Sequence, residues 1–191
     1  MATKRKYELK KRAEQVAETR RRITEATVEL HRTVGPAATQ ISEIARRAGV
    51  QRVTVYNHFP DEASLLGACS AHWRDLHPAP DPTTWDGDLR TALRELYAWY
   101  RETEPMTANV LRDAQTISAL QAIIEDGLGT YLAAVREILA KPFGRSKRVD
   151  AALRAAVDFH FWRALAPLGD AEAAELAAGF VELAAVQADV R

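Results

Sequence analysis

Chain-breaking residues come at few places in this sequence: Gly35-Pro36, Gly49, Pro60, the Pro78/Pro80/Pro82 cluster, Pro105, Gly127/Gly129, Pro142-Gly144 and Pro167-Gly169. Between them Ala, Leu, Glu and Arg recur with helical spacing, and no run alternates with the period of two that a strand requires. The expected fold class is therefore all-α.

Leu9, Ala13, Val16, Arg20, Ile23, Thr27 and Leu30 recur at steps of four and three, which predicts a helix from near Tyr7 to about Arg32. Only its second half is apolar enough to be buried. Three short helical segments follow, Thr39 to Ala48, Gln51 to about His58, and Asp61 to His77. The prolines at 78–82 cannot continue a helix and mark a domain boundary. Beyond them helices are expected near 85–102, 105–113, 115–140, 146–165 and 170–189. The organisation is then a basic arm or helix extension over 1–18, a three-helix domain with its connecting helix over 19–77, and a second helical domain over 83–191.

The stretch from Thr39 to Leu66 carries the chemistry. Thr39 is placed to cap the first of the short helices. Ile41, Ile44, Ala45 and Ala48 give that helix a buried face, and Gly49 supplies the left-handed conformation that ends it. Val55 and Phe59, four residues apart, give the next helix an apolar side. This is the pattern of a helix-turn-helix whose second helix keeps a polar face: Gln51, Arg52, Thr54, Tyr56, Asn57 and His58. Arg donates two hydrogen bonds to guanine in the major groove, and Asn pairs with adenine. The hydroxyls of Thr54 and Tyr56 and the ring of His58 suit phosphate oxygens, which set register without reading sequence.

Ile44, Ala45, Ala48, Gly49, Val50, Thr54, Val55, Tyr56, His58, Phe59, Leu65 and Leu66 together resemble the DNA-binding domain of the tetracycline-repressor (TetR) family of bacterial transcription regulators. The resemblance covers about the first 75 residues. It implies that Thr54 and Tyr56 hold phosphates and that Arg52, Val53 and Asn57 read bases; Thr39, Gln51 and His58 are further candidates for DNA contact. Two positions depart from the family pattern. The usual lysine after the His-Phe pair is Glu62, next to Asp61, which is expected to cap the following helix. Lys4, Arg5, Lys6, Lys10, Lys11 and Arg12, or Arg20, Arg21 and Arg22, are the candidates to replace the lost phosphate contact. Val53 stands where a small residue or proline is frequent.

Charge has to be read in halves. The 191 residues hold 26 basic and 26 acidic side chains, a net charge of zero that argues against a polyanion partner. Residues 1–60, however, hold 13 basic against 6 acidic, and residues 61–191 hold 13 against 20. The reader is basic and the body acidic, so DNA binding with a strong salt dependence is expected despite neutrality. The single cysteine, Cys69, excludes an intramolecular disulfide and suits a reducing, cytoplasmic setting, with no apolar run of membrane-spanning length. Five histidines without i, i+4 pairing, no phosphate loop and no Gly-x-Ser-x-Gly speak against an enzyme, and no cofactor or metal is expected.

Residues 85–162 contain nine of the fourteen aromatics. Aromatics at helical spacing usually form plain core, but as a set these are candidates to line a pocket, with Tyr97, Tyr100, Phe159 and Trp162 as its apolar wall and Asn109, Asp113 and His160 as polar contacts. The family resemblance supplies most of that expectation, a small-molecule effector whose occupancy alters the DNA-reading geometry through the helix from Asp61 to His77. It also implies a homodimer through the last two helices, where Ala151, Ala152, Ala155, Ala156, Phe159 and Ala173, Ala174, Ala177, Ala178, Val181, Ala184, Ala185 permit close approach. The function expected is a repressor released from a palindromic operator by an apolar or aromatic ligand. The alternative is a helical small-molecule carrier, which has no use for Arg52, Thr54, Tyr56 and His58 on one short helix.

Overall fold

The structure, a computed structural model, describes residues 2–144 and 146–186, with side chains from residue 6 onward; Lys4 and Arg5 of the basic arm lie outside the described side chains. Every regular element among the described residues is a helix, in the order α1 (Ala2–Thr33), α2 (Ile41–Ala48), α3 (Arg52–His58), α4 (Glu62–Leu76), α5 (Leu89–Asp113), α6 (Ser118–Ile124), α7 (Thr130–Ala140), α8 (Lys147–Ala156), α9 (Phe159–Leu165) and α10 (Asp170–Val186). None is long and apolar enough to cross a membrane.

The chain divides into two compact units, one of Met1–His77 with Pro105–Ile124 and one of Pro78–Glu104 with Glu125–Arg191. Residues 105–124, which the sequence places with the second domain, group instead with the first four helices. In the first unit Ile23, Leu30, Ile44, Ala45, Val55, Phe59, Leu65 and Met106 form one buried cluster around the second half of α1. Residues 6–18 of α1 are exposed throughout, as their weak apolar content implies. Cys69 is buried in the same cluster, and burial pushes its thiol up to about 12, which leaves it unreactive at neutral pH.

In the second unit α5, α8, α9 and α10 surround an aromatic core. Tyr97 and Tyr100 are fully buried, and their hydroxyls donate to the carbonyls of Ala156 and Val157, both at 2.7 Å. Those are unpaired carbonyls at the end of α8. The expected single helix over 146–165 therefore stops there, and Asp158 starts α9 by accepting the N–H groups of His160 (2.8 Å) and Phe161 (3.1 Å).

Two further expectations are corrected. Pro105 does not break a helix: α5 runs through it, because Leu93, Leu96, Tyr97 and Tyr100 bury the turns before it and Met106 the turn after. Burial on that scale outweighs the roughly 3 kcal/mol that an interior proline costs. The expected helix over 115–140 is divided by a wide π turn at Glu125–Gly129, where Gly127 and Gly129 fall.

The alanines of α10 also lie elsewhere than expected. Ala173, Ala174, Ala177, Ala178 and Val181 are buried within the single chain, as are Ala152 and Ala156 of α8, the helix against which α10 packs most extensively. Small side chains do allow close approach, but between α8 and α10 of one chain. The face of α10 that stays open carries Leu176, Phe180 and Leu183, each about half exposed.

Candidate nucleic-acid interface

Ile44, Ala45 and Ala48 sink one side of α2 into the core. The helix ends at Gly49, whose φ of +64° is the left-handed conformation that glycine adopts freely. The N–H of Gly49 returns to the Arg46 carbonyl (3.3 Å) and that of Val50 to the Ala45 carbonyl (2.9 Å), closing the turn. The chain leaves it extended at Gln51 and enters α3. Val55, fully buried, and Phe59, 2% exposed, anchor α3 from beneath.

With 100° between successive residues, Arg52, Val53, Tyr56 and Asn57 then fall on one outward arc, and all four are exposed. None of these four side chains has a hydrogen-bond or ion-pair partner among the described residues. Thr54 and His58 lie half-buried at the flank of the arc, and Gln51 is exposed at its start. Thr39 departs from expectation. The N-terminal position of α2 belongs to Gln40, which makes no side-chain cap, and the Thr39 hydroxyl donates to the Gly35 carbonyl at 2.8 Å. Its only proton is committed to that turn.

The helix pair is held from both sides by groups that do not touch the outward arc. From α1, the Arg22 guanidinium donates to the carbonyls of Ala48 and, at 3.1 Å, Gly49, so it satisfies the end of α2. Arg20 donates to the His58 carbonyl at 2.6 Å and lies 4.0 Å over the Phe59 ring, so it closes the end of α3. Arg21 pairs with Glu18 and Glu25. All three arginines that the sequence offers as substitute phosphate contacts are thus engaged inside the domain. Asp61 caps α4 as expected, accepting the Ser64 N–H at 2.7 Å, and Glu62 is exposed beside it.

A second clamp comes from α5. Asn109 donates through Nδ2 to the carbonyls of His31 (3.0 Å) and Arg32 (2.9 Å), which the end of α1 leaves unpaired. The buried Asp113 carboxylate accepts the Ala37 N–H at 2.9 Å and the Arg112 guanidinium at 2.7 Å. Gly35, at φ +94°, lies so close to this pair that a Cβ there would collide with both the Arg112 guanidinium and the Asp113 carboxylate. Burial raises the Asp113 pKa, yet the Arg112 hydrogen bond and the Ala37 N–H outweigh it and hold the carboxyl below its ordinary value.

The candidate ligand residues therefore separate. Tyr97, Tyr100, Phe159 and Trp162 come together, with Tyr100 5.4 Å from Phe159 edge-to-face and 5.6 Å from Trp162. Asn109 and Asp113 lie in the other unit and serve the end of α1, while His160 is exposed on α9.

His31, beside Asp113, is 5% exposed, and burial lowers its pKa to about 4 against the opposing pull of the carboxylate. In the unfolded chain it titrates near 6.5. Between those values the unfolded chain takes up a proton that the fold refuses, so stability is lost as pH falls through the window. We expect His31 to remove roughly 2–3 kcal/mol between pH 7 and pH 4.5. Urea denaturation at the two pH values checks this, and His31→Gln should flatten the difference.

Residues 23–69 match the family model described as bacterial regulatory proteins, tetR family. Among solved structures the chain is similar to a TetR transcriptional regulator from Rhodococcus sp. RHA1, at 22% identity over 88% of this chain and 96% of that one, with a TM-score of 0.47. No curated protein matches the chain in sequence. The matched segment runs from the buried half of α1 through the helix-turn-helix into α4 and contains Arg52, Val53, Tyr56 and Asn57. What this chain shares with bacterial regulatory proteins of the tetR family is thus the segment 23–69, which holds the helix-turn-helix and its outward residues.

Proposed function

We propose that the protein is a homodimeric transcriptional repressor that places two copies of α3 in successive major grooves of a palindromic operator, about 34 Å apart. The observation that carries the reading is the outward arc of α3. Arg52, Val53, Tyr56 and Asn57 are unengaged on a helix whose C-terminal end is tied down by Arg20 and whose preceding turn is held by Arg22. Arg52 and Asn57 supply the donor patterns for guanine and adenine, Val53 an apolar contact for a thymine methyl, and Tyr56 with Thr54 and His58 phosphate contacts.

The second unit then serves as sensor and dimer body. Its aromatic wall of Tyr97, Tyr100, Phe159 and Trp162 supports an apolar or aromatic effector. Those rings are packed on one another, so such a ligand would exchange ring–ring contacts for ring–ligand contacts. It releases DNA only by binding the non-reading conformer more tightly than the reading one. The open apolar stripe of α10 supports the two-fold pairing.

Selection of bound fragments from random duplex DNA tests this directly. A palindrome with half-sites one helical turn apart is expected, and Arg52→Ala should relax one base position per half-site at a cost of about 1–3 kcal/mol. Recovery of no common sequence would overturn the reading.

A further inference from the structure

We propose that the exposed N-terminal half of α1 is a second DNA-contacting element, a basic helical strut that grips phosphates of the flanking duplex outside the bases read by α3. The inference rests on the DNA-binding reading above and extends it to a surface that the helix-turn-helix does not include.

Residues 6–18 of α1 are all exposed although the helix is continuous from Ala2 to Thr33. Leu9, Ala13 and Val16 continue the stripe of Ile23, Thr27 and Leu30, but no part of the first unit lies beneath them. The domain's edge on α1 is at Arg20, where the helix meets the end of α3. At 1.5 Å per residue, Arg12 to Lys6 lie about 12–21 Å further along, a length of roughly four to six base pairs.

The charge on this overhang is graded. Residues 1–12 hold six basic side chains against one acidic, Glu8. Of the described ones, Lys10 has only a weak 3.9 Å pairing with Glu14, both largely exposed. Lys6, Lys11 and Arg12 have no hydrogen-bond or ion-pair partner among the described residues. Lys6 and Lys10, four residues apart, repel one another, and the first turn carries no acidic residue to favour the helix end. A helix with this arrangement gains from a polyanion laid along it.

The rest of the basic half points the same way. Arg20, Arg21 and Arg22 are engaged within the domain, Arg46 and Arg47 pair with Glu43, and Arg32 pairs with Glu29. At the start of α4 the groups nearest the reading helix are Asp61 and Glu62, which repel phosphate. Arg52 aside, the described cations left unengaged in the first 60 residues are Lys6, Lys11 and Arg12 of the strut. The partner that this charge fits is therefore the anionic backbone of the duplex.

The test uses the full chain and the operator obtained by selection, in a long duplex and in one trimmed to the recognised bases. The variant is Lys6→Ala with Lys10→Ala, Lys11→Ala and Arg12→Ala. Alanine favours helix and all four sites are exposed, so the fold is retained, which far-UV circular dichroism verifies. On the long duplex the plot of log K against log salt should become shallower by about 3 per protomer, with an equal loss of affinity for operator and random DNA. Trimming the flanks should reproduce that loss in the wild type and add nothing in the variant. Equal salt slopes for two proteins that both bind would overturn the strut, as would a variant whose defect is a changed oligomeric state, since α1 would then pair with a second copy. Failure of the DNA reading itself is distinguishable, because the wild type would bind no duplex sequence preferentially.

Discussion

Leu176→Glu together with Leu183→Glu should convert the protein to a monomer and lower its affinity for a two-half-site operator by about 100-fold or more, while leaving its affinity for a single half-site unchanged. The physical basis is the division of labour around α10. One side packs its alanines and Val181 against α8. One flank has its acids satisfied by α5, with Glu182 held by Arg90 at 2.5 Å and Glu175 by Arg90 at 2.9 Å. The other flank presents Leu176, Phe180 and Leu183 at helical spacing, 55%, 46% and 58% exposed, with the Phe161 ring 6.0 Å from Phe180. Apolar residues so placed gain by meeting the same surface of a second copy around a two-fold axis. Two carboxylates there would have to be buried unpaired, which a dimer does not survive. Within one chain both positions are surface, so the monomer's stability should change by no more than about 0.5 kcal/mol. Sedimentation at micromolar concentration checks the first claim and titration of one-half-site and two-half-site duplexes the second. A persistent dimer would move the interface away from α10.

What was legible in the sequence is what depends on short range. Gly49 announces a left-handed turn because it directly follows the apolar stripe of Ile41, Ile44, Ala45 and Ala48, and Asp61 announces a cap because a carboxylate just ahead of a helical run accepts its free N–H groups. Those two signals suffice to place the helix-turn-helix and its outward residues. The groups that hold it in place were not legible, because their partners lie far along the chain. Arg22 reaches 26 residues to Ala48, Arg20 38 residues to His58, and Asp113 76 residues to Ala37. Arginines next to a reading domain look like phosphate contacts until the orphan carbonyls at the ends of α2 and α3 are seen to need donors. Asn109 and Asp113 look like ligand contacts until the end of α1 is seen to need the same. The alanine stripes show the converse: composition reports that helices approach closely and is silent on whether the neighbour belongs to the same chain.

The long-range clamps make a sharp prediction at Phe59. Phe59→Ala should destabilise the first unit by about 3–5 kcal/mol and abolish operator binding at temperatures where the second unit remains folded. Phe59 is 2% exposed and joins Ile23, Ile44, Val55 and Leu65 in one cluster, so truncation removes a ring that four elements share. The ring is also the platform for Arg20, whose guanidinium sits 4.0 Å above it and donates to the His58 carbonyl. Without the platform Arg20 loses its cation–π partner and the end of α3 its cap, so the outward arc of Arg52, Val53, Tyr56 and Asn57 loses its fixed angle. Arg20→Ala separates the two contributions. It keeps the core and should cost only about 1–2 kcal/mol in stability, yet it should weaken DNA binding by more than that loss explains. Thermal unfolding followed by tryptophan fluorescence reports each unit, since Trp73 lies in the first and Trp85, Trp99 and Trp162 lie in the second. Equal binding by Arg20→Ala and wild type would show that α3 is aligned by its buried side alone.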